Sequence, residues 1–303
     1  MGRRLPLRLP KPGLSLIKKI MRSEKQVLSQ FCKWAIGTDS VRAAMLTGSR
    51  VEPGKSIDSL SDYDIAMYVK DLTSYKDSDS WLNNFGSIMV RWPFIPQSTF
   101  DRNWLTRLVL YKDGTRIDFQ ITDRTNTNPD SYENGYKVLV DKDNILTALN
   151  RPTFSKFVIK KPTEKEYIAL TNEFWWDVTY VPKYLWRDEL PVAKYTLDYV
   201  IHFVYLQQIV EWYIGLKNGW SVETGSHGKF FKQYLDDDTW SEYQTTFAGS
   251  DKNENWLAFL RSLEFFRKIS TFIGKHLNYD YPEKVDNEVT EYCINIRNQT
   301  FRR

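Results

Sequence analysis

Cysteine is scarce in this chain: Cys32 and Cys293 are the whole supply in 303 residues. Neither lies in a CxxC or CxxH spacing, so a disulfide framework and a zinc ribbon are excluded, and a reducing cytoplasm is the expected compartment. His202, His227 and His276 have no paired spacing with Cys or Glu that would suggest zinc. Fourteen Gly and 12 Pro leave no room for a collagen-like or Pro-rich architecture. No apolar run approaches the roughly 20 residues of a membrane span. The most apolar stretch, residues 199–215, is interrupted by His202, Gln207, Gln208 and Glu211, so no membrane partner is expected.

An excess of charge is also missing from the body of the chain. The net charge is +4, yet residues 1–20 hold six basic side chains and no acid, which leaves 21–303 at −2. A nucleic-acid enzyme wants a basic body, so no nucleic-acid partner is expected. Residues 1–20 read as a disordered basic leader or extension; Pro6, Pro10 and Pro12 break any secretory signal. What the chain does have is core material, with 11 Trp, 18 Tyr and 17 Phe.

Apolar spacing predicts a helix over 14–36 and strands over 41–47, 63–69, 87–92, 105–111, 116–122 and 136–140. Asp113-Gly114 between two alternating runs predicts a hairpin. Beyond about residue 150 the pattern changes to helical spacing, at 164–180, 192–216, 228–234, 256–277 and 287–296. Asp236-Asp237-Asp238 reads as a helix-ending acidic turn, and Gly225-Ser226-His227-Gly228 as a turn before a helix. The expected fold is α+β, a mixed-sheet domain over 21–155 followed by an α-helical bundle domain over 156–303.

Three carboxylates stand out. Asp62-Tyr63-Asp64 opens a predicted strand, and side chains two apart on a strand share a face. Asp118 lies on another strand, Arg116-Ile117-Asp118-Phe119. Co-directed carboxylates repel unless a cation lies between them. Oxygen-only ligation suits Mg²⁺ shared with nucleotide phosphates. Upstream, Gly48-Ser49 ends a strand, where a Gly lets backbone approach a phosphate and the Ser hydroxyl can bond its oxygens.

Leu46-Thr47-Gly48-Ser49-Arg50, a spacer and Asp62-Tyr63-Asp64-Ile65 resemble the signature of the DNA polymerase β-like nucleotidyltransferases. The resemblance sharpens over residues 42–69, Arg116-Ile117-Asp118 and residues 172–190 to the aminoglycoside 6-adenylyltransferases, which modify streptomycin. It implies transfer of AMP from ATP to a drug hydroxyl with release of pyrophosphate, giving antibiotic resistance. Asp62 and Asp64 would hold Mg²⁺, with Asp118 as third ligand or general base and Glu173 the alternative base. Gly48, Ser49 and Arg50 would bind the nucleotide's phosphates. A polycationic drug would be met by Glu173, Asp177, Trp176 and Tyr180 of the second domain, and the protein is expected to be a monomer. Pro182 stands where the family more typically has Ala, and is expected to kink or end its helix. Two other readings fit the motif less well: a transferase acting on RNA or another small hydroxylated substrate, and a non-catalytic nucleotide-binding protein.

Overall fold

A computed structural model describes residues 21–95, 103–155 and 157–300; the basic leader predicted over 1–20 lies outside them. The chain divides at residues 156/157 into two compact units.

The first unit is built on a six-stranded mixed sheet, in the order β3-β4-β5-β2-β1-β6. Its strands are β1 (Val41–Thr47), β2 (Tyr63–Val69), β3 (Ile88–Trp92), β4 (Trp104–Tyr111), β5 (Arg116–Asp123) and β6 (Lys137–Asp141). All neighbours are antiparallel except β2 and β5, which run parallel. Helix α1 (Glu24–Gly37) begins at a capping box: Ser23 and Gln26 satisfy each other's backbone N–H groups. The short α2 (Thr73–Asp77) and a 3₁₀ turn (Ser80–Phe85) follow β2.

The apolar run of β1 and β2 has its physical reason here, because both strands are covered on both faces. Phe31, Phe85, Phe119 and Val27 pack on one side, and Ala43, Met45, Ala66 and Tyr68 on the other. By contrast β4 alternates buried with half-exposed residues. The predicted hairpin joins β4 to β5, with Gly114 at φ +86°. A buried ion pair locks the sheet to the segment after α2: Arg107, fully buried, donates from Nε to Asp79 Oδ1 at 2.6 Å.

The second unit is helical: α3 (Glu164–Asp177), α4 (Tyr180–Trp186), α5 (Leu190–Lys194), a π-helical segment (Tyr195–Leu206), α6 (Gln207–Lys217), α7 (Phe231–Tyr234), α8 (Asp237–Gln244), α9 (Lys252–Leu277) and α10 (Glu283–Thr300). Trp175, Trp256, Phe174 and Phe266 form its core, with the last two rings stacked at 3.5 Å. The chain turns at Val178 and Thr179, and Pro182 falls in the first turn of α4, where its missing N–H costs nothing.

One expectation is corrected. Asp236 does not end a helix; it starts one, accepting the Thr239 N–H at 2.8 Å as the N-cap of α8. Its carboxyl is held down to about 2 by that hydrogen bonding. Three successive acids favour the positive end of a helix dipole, and Asp237 and Asp238 fill the first turn accordingly. Among the described residues no helix is long and apolar enough to cross a membrane.

Candidate active site

The site follows from sheet register. Asp64 pairs with Thr47 on β1 and, across the parallel ladder, with Asp118 on β5. Two carboxylates from different strands therefore stand side by side at the centre of the sheet, where strand order places them rather than chain proximity. Burial first, then the charges of Asp118 and Asp62, push the Asp64 carboxyl up to about 6, against the pull of Arg116 and Arg50. Asp62 lies just before β2 and joins the group through Arg116. The Arg116 guanidinium meets both oxygens of Asp118, at 3.1 and 3.0 Å, and lies 3.5 Å from Asp62 Oδ2.

Gly48 explains its own identity. It opens a 3₁₀ turn (Gly48–Arg50) at φ +68°, and a Cβ there would overlap the Asp64 carboxylate. The Gly-Ser turn and Asp64 are thus in contact, with Ser49 half-buried at its centre. Arg50 beside it is engaged by the chain itself. Its Nε donates to the Asp62 carbonyl at 2.8 Å and its Nη2 to the Ser61 carbonyl at 2.7 Å. Its Nη1 meets Glu24 at 2.8 Å, and the guanidinium stacks 3.7 Å above the Tyr63 ring. Committed to the chain, Arg50 fixes the loop that presents Asp62. Within that loop, Asp58 accepts from the Leu60 N–H and the Ser61 hydroxyl, a local turn that sets the approach to Asp62.

A cavity of about 480 Å³ has Arg22, Ser23, Arg50, Tyr63, Thr115 and Arg116 in its wall, and touches the carboxylate cluster only through Arg116. Among the described residues, no group of three or more acid, His or Cys side chains is arranged as a ready cage for a metal ion. Charge explains that arrangement: the guanidinium of Arg116 lies where repelling carboxylates need a positive charge. The donor set itself, all hard carboxylate oxygen with Asp64 raised by its neighbours, fits a hard divalent cation.

In the helical unit, Trp175 and Trp176 part company: the first is fully buried, the second 67% exposed. Glu173 is exposed beside Trp176 on α3, and Asp177 accepts the Tyr205 hydroxyl at 2.5 Å. Burial, that hydrogen bond and the charges of Asp177 and Glu173 all raise the Tyr205 hydroxyl. Tyr180 stands edge-on to Trp176, its ring 6.5 Å away, and lies under the Lys183 ammonium at 4.5 Å. Glu173, Asp177, Trp176 and Tyr180 therefore form one acidic, aromatic patch. Sequence reasoning missed Tyr205 and the role of Arg116. The signal for Arg116 was present, since it lies two residues before Asp118 on a strand and shares its face.

Carboxylates gathered beside a glycine–serine turn are the pattern in which this chain resembles the nucleotidyltransferase class. The family model described as Streptomycin adenylyltransferase matches residues 21–296, and the chain belongs to that family. An aminoglycoside 6-adenylyltransferase of Bacillus subtilis (strain 168) is 32% identical over 285 residues, covering 91% of this chain and 98% of that protein. Its namesake in Staphylococcus aureus is 31% identical over 278 residues, 88% of this chain and 96% of the relative. The Campylobacter jejuni protein of the same name is 30% identical over 281 residues, 90% and 96% respectively. A crystal structure of an aminoglycoside 6-adenyltransferase from Bacillus subtilis aligns at TM-score 0.45 and 26% identity, covering 91% of this chain and 99% of that one.

Proposed function

We propose that the protein is an aminoglycoside 6-adenylyltransferase that joins AMP from ATP to a hydroxyl of streptomycin and so confers resistance to the drug. The observation that carries the reading is the side-by-side placement of Asp64 and Asp118 across the parallel β2–β5 pair, with Gly48 packed against Asp64. Full-length similarity to three aminoglycoside 6-adenylyltransferases supports the substrate class.

In this reading Asp62, Asp64 and Asp118 would hold Mg²⁺, which would supply positive charge to neutralise the phosphates and the departing pyrophosphate. The backbone of Gly48 and the hydroxyl of Ser49 grip phosphate oxygens. The drug's hydroxyl oxygen forms a bond to the α-phosphorus, and the bond from that phosphorus to pyrophosphate breaks. Asp118 accepts the hydroxyl proton, with Glu173 the alternative acceptor. Glu173 and Asp177 meet the drug's cationic groups, and the Trp176 and Tyr180 faces cover its rings, since a cation gains from an aromatic face. Arg50 acts by holding the Asp62 loop. The reading takes the protein as a cytoplasmic monomer without nucleic-acid or membrane partners, its first unit for nucleotide and its second for drug.

The test is mass spectrometry of streptomycin after incubation with protein, ATP and Mg²⁺. The expected result is a product heavier by one adenylyl group. Unmodified drug alongside consumed ATP overturns the substrate assignment.

A further inference from the structure

Arg116 stands out because it is both engaged and exposed. Its side chain is 45% accessible, yet it forks both oxygens of Asp118 and reaches Asp62. The Asp118 side chain is only 12% accessible. A permanent structural ion pair looks otherwise in this protein: Arg107 and Asp79 are 0% and 2% accessible. Arg116 also borders a cavity that none of the three carboxylates lines, so the guanidinium has space away from them.

We propose that Arg116 is the resident counter-ion of the Asp62/Asp64/Asp118 cluster, exchanged for a divalent cation when nucleotide binds, and that its freed guanidinium then takes a phosphate oxygen of that nucleotide. This rests on the adenylyltransferase reading above. The physics is substitution of one positive charge by another. A carboxylate bound bidentately by Arg⁺, as Asp118 is, has less attraction left for a metal. A guanidinium released next to a triphosphate finds there an acceptor of the same fork geometry. The exchange keeps the cluster's charge partly compensated without a ligand and delivers a cation to the phosphates only when they are present. Nothing is covalently changed; a set of hydrogen bonds moves from carboxylate to phosphate oxygen.

The experiment measures Mn²⁺ binding to the full chain without nucleotide, by electron paramagnetic resonance, for wild type, R116Q, R116K and D64N. R116Q is expected to bind Mn²⁺ about tenfold more tightly than wild type, because its carboxylates have lost their internal competitor. R116K is expected to lie between, since a point-like ammonium cannot fork Asp118, and it keeps a cation if R116Q folds poorly. In turnover assays, R116Q should raise the KM for ATP about tenfold while changing kcat less, with R116K partly restoring it. Equal Mn²⁺ affinity in wild type and both Arg116 variants, with binding abolished by D64N, overturns the exchange and leaves the adenylyltransferase reading standing. Mn²⁺ binding that D64N leaves intact overturns that reading instead. An unchanged KM for ATP in both variants overturns the move to phosphate.

Discussion

The two sets of acids in this protein are held by different physics. Asp64 and Asp118 are placed by backbone register, in a sheet whose central strands are covered on both faces. Glu173 and Asp177 ride on the open face of one helix, and only Asp177 has a side-chain partner, Tyr205, among the bonds described. The sheet set is crowded enough to raise Asp64 to about 6. The helix set is open to water. On the proposed reading the sheet set is the reacting centre, which must be fixed to within a fraction of an ångström, and the helix set is a surface for a flexible, multiply charged sugar, which needs less. That reading divides rigidity and tolerance between the units.

Substitutions can break that contrast or sharpen it. The largest expected effect is on stability: Trp175→Ala should cost about 3–5 kcal/mol, read by urea denaturation, because it empties the core of the helical unit. Trp176→Ala, one residue on and exposed, should leave the denaturation midpoint unchanged and raise only the KM for drug. Next comes Gly48→Ala, expected to lower kcat/KM by about a hundredfold, since the methyl group must displace the Asp64 carboxylate and the backbone is left-handed there.

His202 supplies a pH dependence. Burial holds its imidazole down to about 4 from an ordinary 6.5, and its Nε2 lies 3.0 Å from the Thr246 hydroxyl. The unfolded chain takes up that proton below about 6.5, the folded one only near 4, so the unfolded state binds more protons between these values. Stability from this group is therefore complete above 6.5 and falls by about 2–3 kcal/mol as pH drops through that window. Denaturation curves of H202Q against wild type at pH 7 and pH 5 should show a shallower loss in the variant. The smallest effect belongs to the helix set: Glu173→Gln should raise the KM for streptomycin by about three- to tenfold with the KM for ATP unchanged. A fall in kcat instead, with altered pH profile, would make Glu173 the proton acceptor.

Legibility from sequence divides along the same line. β1 and β2 were readable to the residue because strands covered on both faces are nearly continuous apolar runs. Asp62, Asp64 and Asp118 were readable as a set from strand periodicity and the Gly-Ser spacing. Their pairing was not, because Asp64↔Asp118 depends on a parallel register between strands far apart in the chain. Arg50's hold on the loop was not readable, because its partners are the backbone carbonyls of Ser61 and Asp62, which carry no residue-type signal. Trp175 and Trp176 differ only in helix phase, and phase is set by packing against Phe266 and its neighbours. The acids at 236–238 were placed at the wrong helix end, since an acidic run marks a boundary but only backbone geometry says which one.

The most direct measurement follows pyrophosphate release by wild type and by Asp64→Asn, each with ATP, Mg²⁺ and streptomycin and again without the drug. Wild type is predicted to release pyrophosphate only with drug present, and Asp64→Asn to fall at least about a thousandfold while melting at a higher temperature, its carboxylate repulsion relieved. Release that persists in Asp64→Asn, or that proceeds in wild type without the drug, would contradict a carboxylate-centred adenylyl transfer.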